Sequence, residues 1–267
     1  MRPLLFITVI STFITGCAAS AQPSAGPPTR LRVLTYNIHI GIGMDKKLDL
    51  PRIAQVINQS RADVVALQEL DRGTSRTGKT DQPAQLASLT GMHVAFAKTI
   101  DHMGGQYGIA LLSRYPITDV KTSPLPCTPG REPRAALAAS INPDGHEPCL
   151  LICTHLDAAN DQQDSLQQVR TINELFVAVH TSAILAGDFN KPPQSATIHT
   201  LLAHWTNATH STPQPTSPAN HPSQQIDYVF YRPAGLWRVV EAKVIEEPVA
   251  SDHRPLLVVL ERAGERP

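Results

Sequence analysis

Apolar residues in this chain come in short runs that stop at a polar side chain, and this habit constrains the fold more than any other feature. The run AILA at 183–186 ends in Asp188 and Asn190 of AGDFN, and residues 63–67 deliver Gln68 and Glu69. LLICTHL ends at His155, and Asp252 and His253 stand in SDHRPLL about sixty residues beyond AGDFN. Apolar runs of about four to eight residues, bounded by turn signals, suit buried strands. An acid at a strand's end reaches into the crevice where open sheets place their chemistry. Acid, amide and imidazole converging there are the groups that metal-assisted phosphoester hydrolysis needs.

Further strands are predicted at residues 31–38, 93–97, 108–113, 226–231, 236–245 and 255–260. Residues 135–141 and 148–155 read as a hairpin around Asn142-Pro143-Asp144-Gly145. Helices are predicted at 48–60, with Asp49 as cap and Pro51 in the first turn, and at 82–89, stopped by Gly91. The longest, at 162–179, has Leu166, Val169, Ile172, Leu175, Phe176 and Val179 at helical spacing. Residues 210–224, rich in Pro, Ser and Thr, read as an ordered loop or rim. Strands outnumber helices and hairpins mix with helical crossovers. Two packed sheets flanked by helices are therefore expected, with no internal repeat and no second domain.

The chain of 267 residues is long enough for one large α/β domain. Its start combines Arg2, an apolar run at 4–14 and Thr15-Gly16-Cys17, the pattern of a secretory signal peptide over residues 1–16. That run is too short for a lasting transmembrane helix. ITGC (14–17) resembles the bacterial lipobox, which implies a lipidated Cys17; an ordinary signal cut after the Ala-rich stretch 17–21 is the alternative. Residues 17–30 then form a lipid-anchored tether, rich in Ala, Ser, Pro and Gly, and residues 31–262 the domain. The expected location is the bacterial cell envelope, with the protein held at the outer membrane or the periplasmic face. Ala18 gives a hint toward the outer membrane, because it stands where an aspartate often retains lipoproteins at the inner one.

The 23 basic and 23 acidic residues balance, and loss of the signal removes only Arg2. A nuclease gripping many duplex phosphates usually carries a Lys/Arg surplus, so net charge gives no strong nucleic-acid-binding signature. A monomer is expected. In an exported chain Cys127 and Cys149 are the expected disulfide pair, while Cys153 reads as a buried thiol. No CxxC spacing suggests zinc.

Seven motifs then appear in order: TYNIH (35–39), LQEL (67–70), YGIALLSRYPI (107–117), THL (154–156), GDFN (187–190), IDYVF (226–230) and SDH (251–253). Together they resemble the endonuclease/exonuclease/phosphatase superfamily over nearly the whole mature chain. The resemblance implies an α/β fold, a four-layer α/β/β/α sandwich of the DNase I type, with the active site at one edge of the paired sheets. It also implies that Asn37, Glu69 and Asp252 hold a Mg²⁺ or Mn²⁺ ion, and their oxygen donors suit such a hard cation.

By the same resemblance Asp188 aligns or deprotonates the attacking water, or joins a second metal, and Asn190 donates to a phosphate oxygen. His253 is the catalytic imidazole, with Asp227 fixing its tautomer. His155 contacts the scissile phosphate. Two positions depart from the DNA-repair endonucleases: His39 replaces an aspartate, and Gln106 stands where they carry a catalytic tyrosine, one residue before Tyr107. IHIGIGMD (38–45), LDRGTSRTGKTDQ (70–82) and GGQYG (104–108) look instead like a bacterial branch of metal-dependent hydrolases.

Arg76, Tyr107 and Arg134 are the substrate-binding candidates. A solvated loop position is the competing reading for Arg76, and a structural ion pair for Arg134. The expected activity is metal-dependent phosphoester hydrolysis, as a phosphodiesterase on a phospholipid headgroup or small phosphodiester. An exported nuclease and a non-catalytic binding protein are the alternatives.

Overall fold

The computed structural model describes residues 30–143, 147–179, 181–209 and 212–263. The expected signal peptide, the lipidated Cys17 and the tether up to residue 29 lie outside the described residues. Arg30, assigned to the tether from sequence, is the first residue of a strand.

One sheet contains β1 (Arg30–Asn37), β2 (Val64–Arg72), β3 (His93–His102), β4 (Gly105–Ser113), β11 (Trp237–Val244) and β12 (Leu256–Arg262). Its order is β11-β12-β1-β2-β4-β3. The second contains β5 (Ile117–Pro124), β6 (Ala135–Ile141), β7 (Cys149–His155), β8 (Ser182–Asp188), β9 (Thr206–Asn207) and β10 (Asp227–Arg232), in the order β5-β6-β7-β8-β10-β9. Helices α1 (Leu50–Ser60) and α2 (Gln82–Thr90) cover the first sheet, and α3 (Gln163–Phe176) and α4 (Ala196–Leu202) the second. This is the expected α/β/β/α sandwich.

Side-chain alternation along the strands builds the layers. On β1, Leu31 and Val33 face the opposing sheet while Leu34 and Tyr36 face α1. On β8, Ile184 and Ala186 point between the sheets and Ala183 and Leu185 point to α3 and α4. The central layer is thus filled by one row from each strand, and each helix pair seals an outer face.

Local chemistry fixes the helix ends. Asp49 caps α1 by accepting from the Arg52 amide at 2.9 Å, with Pro51 in the first turn. Asp81 caps α2 through the Ala84 amide at 3.0 Å, and Gly91, at φ +67°, takes the left-handed position that ends it.

The structure departs from expectation in several places. Strand β5 was not anticipated: it is an edge strand with most side chains in water, Val120 being 52 % exposed, so it carries little apolar pattern. Helix α4 is only seven residues long, below the length at which periodicity speaks. Strands β2, β3 and β4 run beyond their predicted ends because their hydrogen-bonded pairing continues through polar residues.

The expected Cys127–Cys149 disulfide is absent. Cys149 is buried on β7 and accepts from the Ser182 hydroxyl at 3.2 Å, whereas Cys127 lies in the loop after β5, against the Thr128 and Arg131 carbonyls. Cys153 is the buried thiol expected, packed between the sheets against Gln68.

Candidate active site

The rows that fill the space between the sheets do not stop at the core. Continued by one more alternation, β1 ends in Asn37, β7 in His155 and β8 in Asp188, and β10 opens with Asp227. Pairing then sets their spacing: His155 and Asp227 are the register partners of Asp188 on either side. Four polar residues therefore occupy positions that lower in the sandwich hold Val, Leu and Ile. All four are buried.

Glu69 needs a different device. Simple alternation would turn it toward the helices with Leu67. The β2–β4 register shifts between Leu67 and Leu70, and Glu69 takes φ +61°. This bulge keeps both leucines in the helix-facing core and re-aims the carboxylate to the sheet edge. Asn37 Nδ2 then donates to Glu69 at 2.9 Å and to Asp188 at 3.0 Å, joining the two sheets. Ser251 fastens the third segment, donating to the Asn37 carbonyl at 2.7 Å and reaching Asp252 at 3.3 Å.

Asp188 is the hub. Its Oδ2 lies 3.5 Å from His155 Nε2 and 3.7 Å from His253 Nε2, and its Oδ1 accepts from the Asn190 amide at 2.8 Å. Asn190 adopts φ +51°, and its side-chain amide meets His155 Nε2 at 3.0 Å and the Leu156 carbonyl at 3.0 Å. His253 Nδ1 lies 2.8 Å from Asp227, which also accepts from the Thr216 hydroxyl at 2.5 Å.

Charges differ sharply between the neighbours. Burial, with the Asp227 charge adding to it, raises the Asp188 carboxyl to about 7. Burial alone would depress His253, but Asp227 and Asp188 together outweigh it and lift the imidazole to about 10. His155 goes the other way: burial first, then the charges of Arg134 and His253, push it well below its ordinary value. At neutral pH the metal-free centre thus holds a cationic and a neutral imidazole beside one carboxyl poised to exchange a proton. In this state the His253 imidazole carries a proton and can donate it.

Two groups of side chains could take a cation. Asp188, Asp227 and His253 offer ligand atoms within 4.8 Å of one another. That set already balances itself, since protonated His253 supplies the positive charge and is bonded to Asp227. Glu69 is not balanced. Its carboxyl is raised by burial and by the nearby Asp252 charge, and among the described residues its hydrogen-bond donor is the neutral Asn37 amide. Glu69 is half-buried, and among the described residues its imidazole neighbours His253 and His39 are not bonded to it, so the carboxylate is open to a further cation. The carboxylate oxygens of Glu69 and Asp252 suit a hard divalent ion at this point, and Asn37 would add its oxygen only on turning its side-chain amide, since its Nδ2 faces Glu69 and its Oδ1 accepts from the His39 amide at 3.1 Å.

The remaining sequence candidates line the approach. Arg76 is held by Asp71 through Nε and Nη2, at 2.7 and 2.8 Å, and lies 5.4 Å from the centre of the Tyr107 ring. Both border a cavity of about 180 Å³ that adjoins Glu69. Buried Arg134 pairs with Glu132 at 2.9 Å and depresses His155 by its charge. Sequence reading missed Thr216, hidden in the Pro/Ser/Thr-rich loop, and His102 and Glu132, which lie outside every motif yet line the cavity. Ser251 stood within SDH but was given no role.

The comparisons with known proteins agree with the fold. The endonuclease/exonuclease/phosphatase family matches residues 34–253. The Escherichia coli (strain K12) protein YbhP is 26 % identical over 240 residues, covering 84 % of this chain and 94 % of its own. An endonuclease/exonuclease/phosphatase from Beutenbergia cavernae superposes with TM-score 0.73 at 26 % identity, over 88 % of this chain and 72 % of that one. A mannosyl-6-phosphatase from Bacteroides thetaiotaomicron gives TM-score 0.71 at 18 % identity, over 86 % and 99 % of the two chains, a likeness of fold. The chain belongs to the endonuclease/exonuclease/phosphatase family.

Proposed function

We propose that this protein is a phosphoester hydrolase dependent on Mg²⁺ or Mn²⁺, with its reaction centre at Asp188. The observation that carries the reading is one carboxylate oxygen flanked by two imidazoles and tied through Asn37 to Glu69. A cation held by Glu69, Asp252 and Asn37 would neutralise phosphate charge and stabilise the leaving oxygen.

The chain's own groups supply the rest. Asp188, with its carboxyl near neutrality, orients a water and accepts its proton as the water oxygen attacks phosphorus. His253, kept cationic and aimed by Asp227, donates to a phosphate oxygen where negative charge grows. Asn190 and His155 sit together on the opposite side of Asp188 and serve as further phosphate contacts. The ester P–O bond breaks and the leaving oxygen departs as an alcohol by taking the proton that cationic His253 releases, while Asp188 keeps the proton of the attacking water.

Whether the ester is a diester or a monoester turns on what lies beside the phosphate. A phospholipid headgroup or small diester suits an anchored protein of balanced charge. A nuclease reading would need a basic stripe beside the site, yet Arg76 and Arg134 are both paired with carboxylates. The test is Mg²⁺-dependent turnover of duplex DNA, phospholipid vesicles, bis-p-nitrophenyl phosphate and p-nitrophenyl phosphate, with His253→Ala as control. Metal-dependent cleavage of at least one ester, abolished in the variant, is the expected result. An inert wild type across the panel and both metals contradicts the enzyme reading.

A further inference from the structure

The pole of the sandwich opposite the reaction centre gathers positive charge that takes no part in the chemistry. Strand direction brings it together. Strands β1 and β2 start at this pole, and their antiparallel neighbours β12 and β4 end there, beside the start of β11. Each of these strands brings an arginine. Arg30 opens β1, Arg61 precedes β2, Arg114 follows β4, Arg238 lies at the start of β11 and Arg262 closes β12. Arg32 joins them from β1, donating to the Ser60 and Arg61 carbonyls at the end of α1.

Contacts make these residues one surface. Arg30 and Arg238 share the Glu261 carboxylate, the Arg32 amide donates to Asp63 at 2.8 Å, and Arg114 lies 3.9 Å from the same Asp63. The six arginines thus have Asp63 and Glu261 between them, in a chain whose total charge is zero. The side chains of Arg30, Arg114 and Arg238 are 58, 53 and 65 % exposed. Ion pairs so open to water hold weakly, and a guanidinium has five N–H donors, so most of them stay available.

An anionic bilayer and a nucleic acid both present phosphates that such a surface would meet. Position separates them. A nucleic acid gripped here would lie a full strand away from Asn37 and Asp188, out of reach of the groups that would cut it. A bilayer needs no such reach. The chain also enters the fold at this pole, since the apolar run at 4–14 and Cys17 belong to the stretch that leads into Arg30. We propose that this arginine pole is a docking surface for the headgroups of an anionic phospholipid bilayer.

The test isolates the surface from any anchor. Every residue of the three core clusters lies at Leu31 or beyond, so a chain of residues 22–267 keeps that core and lacks both the apolar run and Cys17. It would be sedimented with vesicles of phosphatidylcholine alone and of equal parts phosphatidylglycerol and phosphatidylcholine. Binding is expected to the anionic vesicles only, and to fall steeply between about 0.05 M and about 0.5 M salt. Replacing Arg30, Arg114 or Arg238 singly by Gln should weaken it roughly fivefold, and the triple variant at least about tenfold. Lys46, Lys47 and Lys79 stand exposed on loops at the opposite pole, and their triple replacement by Gln should leave binding within about twofold of wild type. Unchanged melting temperatures identify the variants as folded. No binding to anionic vesicles, equal binding to both vesicle types, or equal loss in the arginine and lysine triples overturns the proposal. So does a duplex oligonucleotide that displaces the vesicles and loses its own hold in the arginine variant, which would make the pole a nucleic-acid surface.

Discussion

At the scale of single residues the site is an exchange of apolar for polar side chains along rows that elsewhere build the core. Asp188 and His253 hold protons more tightly in the folded metal-free protein than in the unfolded chain, where such groups titrate near about 3.9 and about 6.5. Both folded values are raised, so the stabilisation is full below the unfolded values. It drains away as pH rises, through about 7 for Asp188 and about 10 for His253. With chelator present, the melting temperature should therefore fall from about pH 6 to about pH 10. His253→Gln should flatten the upper part of that slope. Calorimetry across this range checks it, and an unchanged slope in the variant contradicts it. On activity, loss of the His253 imidazole should lower kcat by about 10²–10⁴-fold.

Within the elements, strand ends and one bulge do the positioning. Gly187 shows how tightly: a Cβ there would meet the Thr154 carbonyl oxygen at 2.1 Å, because β7 and β8 pair closely just below His155 and Asp188. Gly187→Ala should destabilise the fold by about 1–3 kcal/mol, as overpacking does. It should also lower activity beyond what the melting temperature explains, since the two paired residues are forced apart. A variant with wild-type melting temperature and turnover sinks this account.

The thiols give a second test at this scale. Burial pushes Cys149 to about 11 and Cys153 to about 12, while Cys127 is partly exposed. A chain beginning at Arg30 should react at one thiol with Ellman's reagent when native and at three in denaturant. Two fewer titratable thiols in denaturant would mean that a disulfide forms after all.

Much of this was legible in the sequence because strand ends punctuate it. Glu69, His155, Asp188 and His253 could be singled out because each stands at or beside a short apolar run, while Asn37 and Asp227 were given their roles by the family resemblance. The cavity wall could not. Glu132 lies in the loop before β6 and His102 at the end of β3, and no spacing along the chain shows that hairpin β3–β4 brings them together beside Glu69. Thr216 was lost for a similar reason. Its loop reads as polar rim, yet its hydroxyl is buried against Asp227. Strand β5 and helix α4 escaped because an exposed edge strand and a seven-residue helix leave no period to count.

For the whole molecule, β1 sets a direction. Arg30 starts it and Asn37, at the reaction centre, ends it, about 23 Å away at about 3.3 Å per residue. An anchor joined before Arg30 would hold the far end of the sandwich, so the site would open away from its attachment. Removal of residues 1–29 should then leave turnover of soluble esters unchanged within about twofold. The central claim, that the carboxylate presented by the β2 bulge serves a divalent cation, is tested most directly by turnover of bis-p-nitrophenyl phosphate and p-nitrophenyl phosphate against Mg²⁺ concentration, in wild type and Glu69→Gln. The account predicts no turnover with EDTA, saturation by Mg²⁺ in wild type, and a midpoint raised at least about tenfold in the variant. Turnover that survives EDTA, or the same midpoint in both proteins, would contradict it.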